Sequence, residues 1–245
     1  MPETVTIAML GVFAASVLRG FTGFGFGLAA VPLLSLALAP TKVVPFVTVL
    51  QVLVGLGGLR AAWRAANWRA VLGLAPGLIV GIPLGLLLLT ELPANRVRLA
   101  IGLLIAGSVI VLWRRVRLPS RPSRAVTLGA GLLSGIMNGL ASMGGPPVVV
   151  YLLALTEHAV IVRASSIVYF LFAAVVTAIP MAARGLIDRD VLLWSAASVP
   201  VLLVGSALGS WAFVRAAPHY HRLTALVVLS LLSAALIGRA LIGSG

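Results

Sequence analysis

The sequence Gly20-Phe21-Thr22-Gly23-Phe24-Gly25-Phe26-Gly27 interrupts a long apolar run near the start of the chain. A second interruption, Asn138-Gly139-Leu140-Ala141-Ser142-Met143-Gly144-Gly145-Pro146-Pro147, lies 119 positions later, counted from Gly20 to Gly139, about half the length of the chain. Each places glycine or proline inside a run that is otherwise suited to a helix. We interpret the two interruptions as facing each other and forming a substrate site.

The composition of the whole chain indicates a membrane protein. Of its 245 residues, 61% are hydrophobic and 9% are charged, and the mean hydropathy is +1.16. Soluble domains are typically about 25% charged. Because one water-soluble core cannot bury so many apolar residues, lipid is the natural solvent for this chain. The absence of cysteine excludes a disulfide framework and a thiolate site.

The net charge of +13 does not indicate nucleic-acid binding. The arginines cluster in short gaps between apolar runs, above all at 60–69 and 114–124. Short basic loops are typical of the cytoplasmic side of a membrane protein. We therefore predict the lipid bilayer as a partner, predict no nucleic acid, and place these two loops in the cytoplasm.

Hydropathy divides the chain into two halves of the same design. One span needs roughly 20 helical residues, so the run 4–39 is too long for one span and reads as two spans or as a hairpin that enters and returns. The N-terminal repeat, 1–120, has the broken segment 4–39 and spans at 43–60, 70–90 and 97–113. The C-terminal repeat, 121–245, has the broken segment 125–156 and spans at 164–182, 191–213 and 223–241.

The loop charges orient the two halves oppositely. With 60–69 and 114–124 in the cytoplasm, the loop 91–96 and the N-terminus lie outside, and the second half also ends outside. The sequence therefore predicts an all-α integral membrane protein of two inverted-topology repeats, an architecture of many secondary transporters. Both termini are predicted on the periplasmic side.

The first interruption supplies four candidate binding residues. Irregular backbone at membrane depth is tolerated only inside protein or along a water-filled cavity, and an arginine in an apolar run is a functional candidate. We predict that Arg19, Thr22, Gly23 and Gly25 contact the substrate. The alternatives are close helix packing for the glycines and a structural pairing for Arg19.

The second interruption predicts a helix that begins inside the membrane. Pro146 and Pro147 suit a first helical turn, and a helix N-terminus favours anions. Asn138 and Ser142 would add neutral donors, with hydrogen bonding between helices as the alternative. Gln51, on one face of its span with Thr48, is a weaker candidate. The predicted binding residues from these segments are Asn138, Ser142, Gly144, Gly145, Pro146 and Gln51.

The distribution of acidic residues argues against several functions. All five acids lie at the N-terminus or in predicted loops, so no carboxylate is available in mid-span for proton coupling. Neither a Walker motif nor a nucleophile–base or metal constellation is present. We therefore predict no catalytic residue, no metal and no cofactor.

The motifs resemble those of the TauE/SafE family of sulfite and organosulfur-anion exporters. The resemblance rests on Gly20–Gly27 with Pro32, and on the second-half residues Ser134-Gly135, Asn138-Gly139 and Gly144-Gly145-Pro146-Pro147. It covers essentially the whole chain and implies a bacterial inner-membrane permease for small sulfur-containing or carboxylate anions.

Together these features predict a secondary exporter of a small anion, most readily sulfite or an organosulfonate, working by alternating access between the two repeats. A passive anion channel of the same fold and a carrier of small carboxylates stay open as alternatives. The alternatives from other functional classes are a membrane-embedded enzyme and a structural subunit. Homo-oligomerisation is also left open.

Overall fold

The computed structural model describes residues 2–22, 25–114, 118–119, 122–156, 158–215 and 218–242, and these ranges form ten α-helices. In the first half they are α1 (Pro2–Thr22), α2 (Phe26–Ser35), α3 (Pro40–Ala65), α4 (Trp68–Glu91) and α5 (Ala94–Trp113). In the second half they are α6 (Arg124–Ala141), α7 (Gly145–Leu155), α8 (Ala159–Ala183), α9 (Arg189–Arg215) and α10 (Pro218–Ile242). Each predicted span lies inside one helix, and each predicted interruption separates two.

The surface of the bundle is apolar, as lipid contact requires. Among the described residues, α4, α5, α8 and most of α9 are long and apolar enough to cross a membrane, and shorter apolar stretches lie in α1, α2, α3, α7 and α10. Large hydrophobic side chains such as Leu72, Leu203 and Trp211 are exposed. The chain is therefore an all-α integral membrane protein that crosses the bilayer several times, which confirms the predicted fold class.

Each interrupted segment folds back as a hairpin. In the first, α2 returns along α1, so that Gly11 packs against the side chain of Leu34. In the second, α7 returns along α6, with Thr127 Oγ1 3.0 Å from Tyr151 Oη. The returning arms have 10 and 11 residues, too few to cross a bilayer. These short returning arms favour the hairpin alternative, which stays a prediction.

The turn of the second hairpin explains where α7 begins. Ser142 has a φ of 50°, in the left-handed region, and so ends α6 sharply. Gly144 caps α7, and Pro146 and Pro147 follow in its first turn, as the sequence predicts.

Glycine faces hold the two halves together. The most extensive helix pairs are α4 with α6 and α1 with α9. A Cβ on Gly81 would strike the backbone of α6, and a Cβ on Gly209 would strike the backbone of α1. Glycines recur every four residues on one side of α4, and this side is the face that packs on α6: Gly73, Gly77, Gly81 and Gly85. Both pairs run in parallel, because residues further along one helix meet residues further along the other.

The helix pairings are unchanged when the two halves are exchanged. If each helix of the first half corresponds to the helix five positions later, the pair of α1 with α9 corresponds to that of α6 with α4. The helices α3 and α5 pack on their own counterparts, α8 and α10. A two-fold relation between the halves would produce this pattern, and the inverted repeat stays a prediction.

The two ends of the bundle differ in chemistry. At the ion-pair end, formed by residues 35–42, 91–94 and 183–190, Lys42 forms a salt bridge with Asp188. Asp188 Oδ1 also accepts a hydrogen bond of 2.9 Å from Val191 N and so caps α9. The hydrogen bond from Lys42 holds the pKa of the Asp188 carboxyl below its usual range. The basic end, formed by residues 60–69, 113–114, 122–124, 155–156 and 158–159, lies opposite.

Candidate anion-binding site

A cavity of about 220 Å³ lies between the two hairpins and the helices α3 and α8. At roughly 30 Å³ per water molecule this space holds about seven waters. It is smaller than the roughly 300 Å³ at which sites for drug-sized ligands begin. The cavity therefore fits a small ion or a short organic anion.

Most of the predicted binding residues line this cavity. They are Arg19, Gly25, Gln51, Asn138, Ser142, Gly144 and Gly145. Pro146 is buried in the first turn of α7 and does not line it. The side chain of Thr22 and the whole of Gly23 lie outside the described residues. The structure thus brings the two interruptions together, and ligand contact by these residues stays a prediction.

The two interruptions meet directly at Gly27. A Cβ added there would lie 2.5 Å from Gln51 Nε2 and even nearer to the carbonyl oxygen of Ser142, whereas ordinary contact begins at 3.4 Å. The first turn of α2 therefore packs on the turn between α6 and α7 with no room for a side chain. This contact places both half-helix N-termini at one cavity.

Neutral side chains near the cavity hold the second turn in shape. Gln51 Nε2 donates to the Ser142 carbonyl at 2.7 Å, and the hydroxyls of Ser142 and Thr48 are hydrogen-bonded to each other. Asn138 Nδ2 donates to Thr177 Oγ1 at 2.9 Å, and its Oδ1 accepts from Gly144 N at 3.4 Å. The bonds of Asn138 with Thr177 and of Ser142 with Thr48 join different helices, as the structural alternative for Asn138 and Ser142 expects.

Helix α8 supports the same turn from the other side. Ser134 Oγ donates to the Gly144 carbonyl at 2.6 Å, and Tyr169 Oη donates to Ser134 Oγ at 3.0 Å. All three groups are buried. Buried polar groups are costly unless hydrogen-bonded, so this chain of bonds fixes the start of α7 relative to α8.

The two half-helices present unequal N-termini to the cavity. Both carry the partial positive charge that attracts anions. In α7, however, Pro146 and Pro147 have no N–H, so only Gly145 supplies a donor among its first three residues. Helix α7 therefore contributes an electric field more than it contributes hydrogen bonds.

Two arginines give the cavity its formal charge. Arg19, in the last turn of α1, is half-buried, and Arg163, near the start of α8, is exposed. Both line the cavity, and the described lining residues include no aspartate or glutamate. Within the described part of the chain, no group of three His, Cys, Asp or Glu side chains is placed to hold a metal ion.

Arg163 is the charged cavity residue that sequence reasoning missed. It was not among the predicted binding residues, and it lies in the second turn of α8, which begins at Ala159. A usable signal was present: Arg163, Ile167, Phe170 and Leu171 follow the spacing of one helix face, and all four line the cavity. The aromatic and aliphatic members of this face give the cavity an apolar wall.

The cavity is closed toward the ion-pair end. Between Gln51 and Lys42 the bundle is filled by the buried side chains of Val44, Val47 and Leu50. Toward the basic end, Arg163 is exposed one turn after the start of α8.

The fold and the cavity define a class: a multi-pass helical membrane protein whose interrupted hairpins enclose an electropositive cavity. The chain belongs to the TauE/SafE sulfite exporter family, whose model matches residues 7–236. This match confirms the resemblance found in the sequence.

Two curated relatives share much of the chain. A protein of Cupriavidus necator named "Probable sulfite/organosulfonate exporter TauE" is 27% identical over 208 residues, covering 82% of this chain and 80% of its own. "Probable inner membrane transporter protein TsaS" of Comamonas testosteroni is 29% identical over 161 residues, covering 63% of this chain and 64% of its own. No solved structure gives a significant match.

Proposed function

We propose that this chain is a secondary exporter of a small anion, sulfite or an organosulfonate, from the bacterial cytoplasm. The observation that carries the proposal is the small electropositive cavity at which the two interrupted hairpins meet. Arg19 and two helix N-termini attract an anion there. The family description and the name of the Cupriavidus relative support the choice of sulfur oxyanions.

The proposed mechanism is alternating access between two inverted repeats. The anion enters from the basic end, which we place in the cytoplasm because of its arginines. The parallel glycine contacts of α4 with α6 and of α1 with α9 join helices of different halves, and each of these helix pairs moves as one unit. Opening toward the periplasm separates α3 from α9 at the salt bridge of Lys42 with Asp188.

Transport by purified protein in liposomes tests this proposal. We expect sulfite efflux that depends on the protein and that falls at least tenfold for Arg19→Ala, because the anion loses its charge partner. Arg69→Gln is the matched control: it removes an exposed arginine of the basic end that does not line the cavity. Equal flux through wild type and Arg19→Ala would remove Arg19 from the site.

A passive anion channel of the same fold is the second candidate, and the lack of an acid along the described cavity favours it. Proton-coupled carriers commonly use such a carboxylate. Imposing a proton gradient separates the two functions. Efflux against the electrochemical gradient of sulfite excludes a channel, whereas strictly downhill flux under every gradient supports one.

A further inference from the structure

We propose that Arg163 and Arg19 together form a two-arginine site that selects anions carrying two negative charges. This inference rests on the proposed function and specifies the substrate class of its cavity. Arg19 comes from α1 in the first half of the chain, and Arg163 comes from α8 in the second. Both line the one cavity.

Charge balance in the cavity is the first argument. The described lining residues hold two positive charges and no negative one. Of the acids in the chain, Glu91, Asp188 and Asp190 lie at the ion-pair end, away from the cavity. Removing an uncompensated charge from water is costly. A dianion cancels the charge of both arginines, whereas a monoanion leaves one uncompensated.

The second argument is the strength of the attraction. Coulomb energy is proportional to the product of the charges. At the same position between two guanidinium groups, a dianion gains twice the attraction of a monoanion. The guanidinium fork also matches the oxygens of a sulfonate, sulfite or carboxylate group bidentately. The pair therefore discriminates by charge and by oxygen geometry.

The lining of the cavity further restricts the chemical structure of the preferred dianion. Phe26, Ile167 and Phe170 also line the cavity and offer an apolar wall beside the charged groups. A short carbon chain between two anionic groups can rest on that wall while each end faces one arginine. Inorganic dianions fit the charge but leave the wall unused. We therefore expect a short sulfonate that carries a second acidic group to bind best.

A dianion that bridges the two halves of the protein should also affect the rate of transport. A dianion held by Arg19 and Arg163 at once links the first half of the protein to the second. Closing the cavity around it removes no net charge from water. Closing the empty cavity, or one that holds a monoanion, leaves a positive charge inside. Dianions are therefore expected to be carried faster as well as bound more tightly.

Binding of two matched ligands to purified protein tests the inference. Sulfoacetate has two negative charges, and isethionate is a sulfonate of similar length with one. At fixed ionic strength, we expect the apparent Kd from thermal-shift titration to be at least tenfold lower for sulfoacetate. Arg163→Gln should remove most of this ratio by weakening sulfoacetate binding about tenfold, with isethionate affected less.

Two further variants separate charge from structure. Arg163→Lys keeps the charge but loses the planar fork, so it should retain most of the sulfoacetate preference. Arg69→Gln removes an exposed arginine outside the cavity and should retain all of it. The melting temperature without ligand and the elution profile of each variant show whether it is folded.

The outcomes distinguish this inference from the proposed function. Equal affinity of wild type for the two ligands, or an unchanged ratio in Arg163→Gln, overturns the two-arginine site and leaves an anion exporter standing. If neither ligand binds and sulfite neither binds nor is transported, both proposals are overturned.

Discussion

Replacing Gly27 with alanine tests the contact on which the cavity is built. The new Cβ would lie 2.5 Å from Gln51 Nε2, about 1 Å inside ordinary contact, and would also strike the backbone carbonyl of Ser142. Overpacking of this kind costs about 1–3 kcal/mol. Displacing Gln51 from the Ser142 carbonyl costs about 1 kcal/mol more. The better helix propensity of alanine offsets about 1 kcal/mol.

We therefore expect Gly27→Ala to lower the free energy of unfolding by about 2 kcal/mol. For a chain of this size, that corresponds to a fall in melting temperature of about 4–8 °C. Tryptophan fluorescence during heating in a fixed detergent measures it. The control is Gly145→Ala in the first turn of α7, where a Cβ would lie at an ordinary 3.6 Å from Phe170 Cζ. Its melting temperature should stay within about 2 °C of wild type. The same small shift for Gly27→Ala would refute the direct contact between the interruptions.

Three further predictions concern the ion-pair end and the turn at Ser142. Asp188→Ala should lower the free energy of unfolding by about 1–2 kcal/mol at neutral pH, because it removes both the N-cap of α9 and the salt bridge. Lys42→Ala removes only the salt bridge and should lower it by at most about 1 kcal/mol. Equal decreases for the two variants would contradict capping by Asp188. Since the pKa of Asp188 is lowered by folding, its contribution is present above the unfolded pKa and is lost as pH falls through the folded pKa. The melting temperatures of wild type and Asp188→Ala should therefore converge in acid, and a constant difference would contradict this assignment. Ser142→Val should be about 1–3 kcal/mol less stable than Ser142→Gly in thermal unfolding, because both lose the hydroxyl but only valine is strained at a φ of 50°.

The positions of the two interruptions could be predicted from the sequence because glycine and proline act locally. Pro146 and Pro147 predict the start of α7, and the structure has them in its first turn. The partners of the polar residues could not be predicted in the same way. Asn138 pairs with Thr177, 39 positions away, and this contact depends on how α6 and α8 are rotated against each other.

Arg163 illustrates a different limit of the sequence. Arginines near span ends are common at the cytoplasmic face, so the position of Arg163 in the sequence did not single it out. Only the placement of α8 against the two hairpins turns it toward the cavity. Arg19 was identifiable because it lies inside an apolar run, where a charge is unusual.

The two prolines of α7 have a consequence for the hydration of the substrate. An anion in front of this half-helix meets its field but finds only the N–H of Gly145 as a donor among the first three residues. Its oxygens on that side must then keep water molecules as hydrogen-bond partners, and a cavity that holds about seven waters has room for them. A partly hydrated ion is held by attraction rather than by close coordination. In the proposed mechanism such an ion leaves quickly when the far side opens, and weak donors at α7 then favour rapid turnover over tight retention.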